Sequence, residues 1–242
     1  MPKVAVSEAE KEALSHNLLG QRLGRKGRDT RERILAATER LLAGPPDTAI
    51  SLSAVAREAS LGMTTLYLYF KDLPELLIAV LEPIMISAEA SYIGHLRNRW
   101  PDEKLGEHCM LFVESFHAFW QRHARILHLR NGLADQNDAR MVEHRVSYSQ
   151  PMIELFVQQM DRPYDGTRSR AQGTATVLLT GIERLVTIAT DADFPRFLSE
   201  SLDEEPVSFV RHLLVSAARL LELGIRDNRA TAALDRACVA HF

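Results

Sequence analysis

The sequence predicts an all-α protein. Apolar side chains recur at spacings of three and four residues along most of the 242-residue chain, which is the period of an amphipathic helix. No segment alternates apolar and polar residues as a half-buried strand does, and no Asn-Gly turn separates two such segments. The composition, 46% hydrophobic and 25% charged, is that of a folded globular protein and excludes a disordered chain.

The cysteines and the apolar segments exclude several further classes. Cys109 and Cys238 have no CxxC spacing, so neither a disulfide framework nor a structural zinc site is predicted, as fits a cytoplasmic protein. The longest segments without a charged residue, such as 59–70, are much shorter than the roughly twenty apolar residues that span a membrane. The first residues lack the basic start and apolar core of a secretory signal, so we expect no membrane partner.

One segment near the N-terminus is basic, although the chain as a whole carries a net charge of −3. Residues 20–71 contain nine Lys and Arg against five Asp and Glu, a net charge of about +4. A basic segment attached to an acidic remainder is typical of a module that binds a polyanion. A solvated run of surface charge explains the same composition.

The first elements are three helices. Asp29 or Thr30 caps a helix of about fourteen residues that ends before Gly44. Ser51 caps a second, short helix, which the sequence Ser60-Leu61-Gly62 interrupts before a third short helix. Two short helices joined by a three-residue turn form a helix-turn-helix pattern. The residues that we expect to point inward are Ile34, Ala37, Leu41, Leu42, Leu52, Val55, Ala59, Leu61, Leu66 and Phe70.

These three helices resemble the DNA-binding domain of the tetracycline-repressor family over residues 28–81. The most specific part is Thr65-Leu66-Tyr67-Leu68-Tyr69-Phe70 followed by Lys71-Asp72. The resemblance implies an N-terminal three-helix helix-turn-helix DNA-binding domain and a C-terminal helical ligand-binding and dimerisation domain. It also implies a homodimeric transcriptional regulator, most simply a repressor, that a small and largely apolar ligand releases from double-stranded operator DNA. No cofactor and no metal are expected.

Three positions depart from the family pattern. Ser60 stands where the family usually has Gly, which costs about 1 kcal/mol if the backbone there is left-handed. Gly62 stands where Ser usually caps the recognition helix, and this replacement of the cap costs roughly a few tenths of a kcal/mol. Thr64 stands where many members have Gly or Pro, which changes the expected base preference but not the mode of binding.

The N-terminal end of a recognition helix enters the major groove, so we expect Met63, Thr64 and Thr65 to reach base edges. Their methyl groups and hydroxyls do not dictate one particular base. The resemblance implies that Tyr67 and Tyr69 donate hydrogen bonds to phosphates. Packing in the core is the alternative role of these two tyrosines.

Further contacts to the DNA backbone are expected around the helix-turn-helix. The resemblance implies that Ser51 and Ser53 contact the backbone and that Lys71 adds charge. Arg28 and the basic residues before it form an arm that follows phosphates or enters the minor groove, unless the arm is a solvated tail. We therefore expect four parts: a flexible basic arm at 1–27, the DNA-binding domain at 28–72, the effector-binding and dimerisation domain at 73–225 and a C-terminal tail at 226–242.

A long helix follows the helix-turn-helix. Asp72 and Glu75 have the spacing of a capping box, and Pro74 lies in the first turn, where its missing N–H costs nothing. Pro83 in the interior should bend the helix, which links the two domains. Further helices are predicted at about 102–122, 124–134, 138–160, 167–190 and 205–223.

The later helices carry the expected partner surfaces. The two last segments are strongly apolar, and members of the family pair the corresponding helices into a four-helix bundle, although a monomeric core would bury many of the same side chains. Aromatic and Met side chains in the middle segments line an apolar ligand cavity or form ordinary core. Glu183, Arg184 and Asn131 are polar candidates for orienting a ligand. The candidate ligand-binding residues are Phe112, Phe116, Trp120, Met152 and Phe156.

Enzyme signals are weak, so no catalytic residues are predicted. His123 and His128 lack the four-residue spacing of a helical zinc site, and no nucleophile-elbow motif or phosphate-binding loop is found. The glycine-rich residues 20–27 follow no predicted strand. The alternative to a DNA-binding regulator is a helical small-molecule-binding protein whose DNA-binding head is vestigial.

Overall fold

The structure is a computed structural model, and it describes residues 24–45, 47–161, 170–201 and 205–239. Helices and short 3-10 turns are the regular structure of these residues, and none of them forms a β-strand, so the predicted all-α class is confirmed. The α-helices are α1 (Arg25–Ala43), α2 (Leu52–Glu58), α3 (Met63–Tyr67), α4 (Leu73–Ser91), α5 (Leu105–Arg122), α6 (Ala124–Asp135), α7 (Ala139–Gln159), α8 (Arg170–Ala189), α9 (Phe194–Ser201) and α10 (Pro206–Val239).

The chain forms two compact units, unit 1 (Met1–Pro83) and unit 2 (Ile84–Phe242). The division falls inside α4 and not at the predicted boundary after residue 72. The predicted arm also ends earlier than expected, because α1 already begins at Arg25. Residues 1–23, which hold most of that arm, lie outside the described residues.

Unit 1 has one core, to which α1, α2 and α3 contribute. Ile34 of α1, Val55 of α2 and Leu66 of α3 are fully buried together with Phe70 and Leu76. The helical spacing of the apolar side chains therefore predicted these central core residues correctly. Leu41, Leu52 and Leu61, also predicted to point inward, are partly buried against this core.

The turn between α2 and α3 is a Schellman motif. The Leu61 N–H donates to the Ala56 carbonyl at 2.8 Å, and the Ser60 N–H donates to the Arg57 carbonyl at 3.1 Å. Ser60 takes the left-handed conformation with a φ of 53°. The backbone at this position is therefore one that glycine adopts without cost, and the condition under which Ser60 is costly is met.

Helix α4 begins with the predicted cap. The Glu75 N–H donates to Asp72 Oδ1 at 3.0 Å, and Glu75 Oε2 accepts from the Lys71 N–H at 2.8 Å. These two bonds tie the start of α4 to the end of the helix-turn-helix. Pro83 lies inside α4.

Unit 2 is a helical bundle. Helix α10 packs on α5 and α8, and α7 packs on α6 and α8. Helices α5, α6, α7 and α8 begin and end within a few residues of the predicted segments. Helix α9 was not predicted, and the start of the predicted segment at 167 lies outside the described residues.

The predicted C-terminal tail at 226–242 differs most from the structure, because α10 continues to Val239. Gly224 was the expected end of this helix, since glycine commonly follows a helix C-terminus. Here it lies where α10 crosses α8, and a Cβ at Gly224 would be 2.7 Å from Leu178 Cδ1. The glycine thus allows a close approach of two helices, and Asn228 and Arg229 beyond it are buried.

Candidate nucleic-acid interface and candidate ligand cavity

Helix α3 is anchored on one side and open on the other. Leu66 is fully buried, and Phe70 just after the helix joins the same core. The helix starts at Gly62, whose carbonyl accepts from the Leu66 N–H at 3.1 Å, and no side chain caps it. Anchoring by Leu66 and Phe70 turns the N-terminal end and the opposite side of α3 toward solvent.

The three predicted base readers differ in their exposure. Thr64 is exposed and Thr65 is half-buried. Met63 packs partly against the core of unit 1, although we expected it to face away from that core. Thr64 is therefore the most exposed of the three.

Tyr67 and Tyr69 differ in exposure, and this difference bears on whether each contacts phosphate or packs in the core. Tyr67 is 49% exposed, so its ring is not part of the core. Tyr69 is half-buried and packs against the core of unit 1. Tyr67 is therefore the better candidate for a phosphate contact, while packing accounts for much of the Tyr69 ring.

Ser51 and Ser53 lie at the start of α2. The Ser51 hydroxyl accepts from the Ala54 N–H at 3.2 Å and so caps the helix as predicted. Its oxygen is 3.0 Å from that of Ser53, which is exposed. A hydroxyl pair at a helix N-terminus can donate to a phosphate, and the local helix dipole favours an anion there.

Part of the basic charge of unit 1 serves its own structure. Arg33 Nη2 donates to the Ala59 carbonyl at 2.7 Å, and Arg40 Nε bonds Glu58 Oε1 at 2.7 Å. Both contacts join α1 to α2. The Arg31 guanidinium lies 5.3 Å from the Phe70 ring centroid, and burial lowers its pKa while Glu75 opposes that shift.

The remaining basic side chains of the described part of unit 1 are exposed. Lys71 follows α3, Arg57 lies on α2, and Arg25, Lys26 and Arg28 lie in the first turns of α1. Arg57 was not among the predicted DNA contacts. Its signal in the sequence was a basic residue on the polar side of the first helix of the helix-turn-helix.

Helices α8 and α10 each have a buried and an exposed apolar side. Ile182 of α8 and Leu221 of α10 are buried within the chain. Other apolar side chains of the same two helices are exposed, so the predicted apolar segments supply more apolar surface than one chain covers. The exposed members are Val177, Val207, Val215, Leu220 and Leu223.

All five residues predicted to bind a ligand are buried. Phe112 and Phe156 contact each other edge to face at 5.3 Å between ring centroids and belong to the packed core. Phe116, Trp120 and Met152 line a small cavity within unit 2. The volume of this cavity is about 10 Å³, which is room for about one water molecule.

Charged side chains also line the cavity, and Glu183 is the one among them that was predicted as a candidate for orienting a ligand. Arg130 is 3% exposed, and its guanidinium lies 5.7 Å from the Trp120 ring centroid. The signal for Arg130 was its position in the buried stripe of α6, with Ile126, Leu127 and Ala134. Burial lowers the pKa of Arg130 and raises that of Glu183, and the field of each group opposes the shift of the other.

In the described part of the chain no three His, Cys, Asp or Glu side chains lie close enough together to hold a metal ion. None of its helices is both long and apolar enough to cross a membrane.

Comparisons with known proteins find similarity at the level of structure and not of sequence families. No protein-family model and no curated protein matches the sequence. The fold is similar to the crystal structure of a TetR-like transcriptional regulator from Rhodococcus sp. RHA1, with 20% sequence identity, a TM-score of 0.48 and coverage of 86% of this chain and 99% of that chain.

Proposed function

We propose that this protein is a sequence-specific DNA-binding transcriptional regulator of the tetracycline-repressor type and not an enzyme. The observation that carries the proposal is α3, a short helix anchored through Leu66 and Phe70 whose outer side presents Thr64, Thr65 and Tyr67. A recognition helix needs this arrangement, because its N-terminal end must enter the major groove while the rest of the unit holds it in place.

The charge and the hydroxyl groups around α3 support DNA as the partner. Exposed Lys71 follows α3, and exposed Arg57 and the Ser51–Ser53 pair belong to the preceding helix α2; all of these groups can bind phosphate. The test is to select bound fragments from the protein's own genome and measure their affinity at several salt concentrations. We expect one specific operator and an affinity that falls steeply with salt. A chain that is not retained on heparin or on nonspecific DNA at low salt would instead be a ligand-binding protein with a vestigial head.

Two substitutions separate the reading of bases from the binding of phosphates. Thr65→Ala should change the preferred sequence and leave the affinity for random DNA nearly unchanged. Lys71→Ala should weaken operator and random DNA about equally and reduce the salt slope by about one. Equal losses on both DNAs for Thr65→Ala would remove it from the base readers.

The exposed apolar sides of α8 and α10 support a homodimer. A second copy of the chain would cover Val177, Leu220 and Leu223 with the same surface of its own, as a two-fold interface requires. Two helix-turn-helix units would then occupy half-sites about 34 to 36 Å apart or a multiple of that distance. A monomer that binds one half-site with full affinity would contradict this architecture.

The cavity in unit 2 supports regulation by a small molecule, in the simplest form release of a repressor from its operator. Coupling between two sites typically changes affinity by about 5- to 150-fold and is reciprocal, so operator DNA must weaken ligand binding by the same factor. The measurement is operator affinity with and without a saturating ligand. A ligand that binds the chain but leaves operator affinity unchanged would rule out this mode of regulation.

A further inference from the structure

The cavity in unit 2 has an apolar wall and a charged wall. Phe116 and Trp120 of α5 form part of the apolar wall, and the charged wall consists of Arg130, Arg145 and Glu183. All of these residues belong to unit 2. Aromatic side chains together with a few converging polar groups are the usual composition of a small-molecule site.

Arg130 has hydrogen-bond donors that no described residue uses. Its Nε and Nη2 atoms both donate to Asn131 Oδ1 at 3.1 Å. Within the described parts of the chain, no carboxylate forms an ion pair with Arg130 and no acceptor contacts its Nη1 group. A guanidinium has five N–H donors, so the edge that includes Nη1 remains open.

The charges around the cavity are not equivalent. Arg145 already pairs with Asp135, at 2.9 Å. Glu183 lines the cavity too, but within the described residues it forms no ion pair with Arg130. An arginine stays protonated in a protein. Arg130 is therefore the permanent positive charge of this cavity that no described carboxylate contacts.

We infer that the cavity binds a small monocarboxylate with a flat apolar body, whose carboxylate accepts hydrogen bonds from the open edge of Arg130. The body would lie against Phe116 and Trp120. This inference rests on the proposed function and names the chemical class of its effector. Because the cavity has room for about one water molecule, the ligand must displace lining side chains, among which Met85 and Met152 are the unbranched, flexible ones.

The test compares three probes of nearly the same shape on the full chain without DNA: phenylacetate, phenylacetamide and phenethylamine. Isothermal titration calorimetry should give an affinity for phenylacetate that is roughly 10- to 100-fold higher than for the neutral amide, because charge-assisted bidentate bonds form only with the carboxylate. Phenethylamine, which carries a positive charge, should bind most weakly. Equal affinities for the acid and the amide, tightest binding of the amine, or no binding of phenylacetate at millimolar concentrations would overturn the proposal.

Substitutions locate the site. Arg130→Met should abolish the preference for the acid, and Arg130→Lys should reduce it, because an ammonium cannot bind a carboxylate in a fork. Arg122→Met, at an exposed arginine of α5, is the matched control and should bind phenylacetate as the unaltered chain does. Glu183→Gln should tighten binding of phenylacetate several-fold, because it removes a neighbouring negative charge. Weaker binding by Glu183→Gln would show that the ligand is not an anion and would overturn the proposal.

The folded state of each variant is checked by far-UV circular dichroism before titration. Since Arg130→Met also removes a buried charge that lacks a contacting carboxylate, its melting temperature should not fall. Because these titrations contain no DNA, failure of the carboxylate site and failure of the DNA-binding proposal give separate results.

Discussion

Replacement of Arg229 by Met should destabilise unit 2 more than replacement of any exposed arginine. Arg229 lies on α10 and is 6% exposed. Its Nε donates to the Gln159 carbonyl at 2.6 Å, and its Nη1 donates to the Trp100 carbonyl at 3.0 Å and to Asp102 Oδ1 at 2.6 Å. One side chain thus joins the last helix to the end of α7 and to the segment that precedes α5.

The size of the loss follows from which of these bonds are buried. The Asp102 side chain is 54% exposed, so the ion pair itself contributes at most about 1 kcal/mol. The Gln159 carbonyl is a different case, because it loses a charged donor in a buried place, at about 1 to 3 kcal/mol. The Trp100 carbonyl also loses a charged donor but keeps the hydrogen bond from Arg99 Nη1 at 3.3 Å, so its loss costs less. Methionine retains much of the apolar stem. We therefore expect Arg229→Met to lower the free energy of unfolding by about 1 to 4 kcal/mol.

The assay is urea unfolding followed by tryptophan fluorescence and circular dichroism. Arg226→Met is the matched control, since Arg226 lies one turn earlier on α10, bonds Glu222 and the Asp102 carbonyl, and has a side chain that is 44% exposed. Its loss should be below about 1 kcal/mol. Equal losses for the two variants, or unchanged stability of Arg229→Met, would refute the reasoning from buried carbonyls.

Three further predictions concern the turn of unit 1, the pH response of unit 2 and the dimer. Ser60→Gly should stabilise unit 1 by about 1 kcal/mol, because it removes the cost of a left-handed non-glycine residue, and a urea midpoint no higher than that of Ser60→Ala would contradict this. Burial lowers the pKa of His144 to about 4 from its ordinary 6.5, so the unfolded chain takes up the proton first. Stability should therefore decrease as the pH falls from 6.5 to about 4, and His144→Met should lose this part of the dependence in urea titrations at several pH values. Leu220→Arg should convert a dimer to a monomer in sedimentation velocity, whereas Val146→Arg, also at an exposed apolar residue, should not. If the Leu220→Arg variant remains a dimer, the dimer interface does not include this surface.

The helix-turn-helix was predictable because its signals are local. The cap at Ser51 and the spacing of Val55, Leu66 and Phe70 depend on backbone geometry within one or two helical turns. The structure adds the φ of Ser60 and the packing of Met63, which spacing alone assigned to the wrong side. A five-residue helix is too short for its period to determine the direction of its first side chain.

The length of the last helix was not predicted, because it depends on a contact between residues that are far apart in the chain. A glycine can end a helix or can allow two helices to approach closely, and the sequence alone does not show which of these roles Gly224 has. In this protein Leu178 of α8 occupies the space that a side chain would need. A contact between residues so distant in the chain leaves no local signal, and the burial of Arg229 beyond the glycine follows from it.

By itself the sequence determined the helical class, the order of the longer helices and most of their inward faces, because each depends on spacing within a single helix. Tertiary structure alone decided which polar groups meet in the cavity. Glu183, Arg184 and Asn131 were equal candidates in the sequence, yet Arg184 is exposed, Asn131 binds Arg130, and Glu183 lines the cavity. Spacing tells which side of a helix a residue occupies, but the residue it faces depends on how helices far apart in the chain pack together.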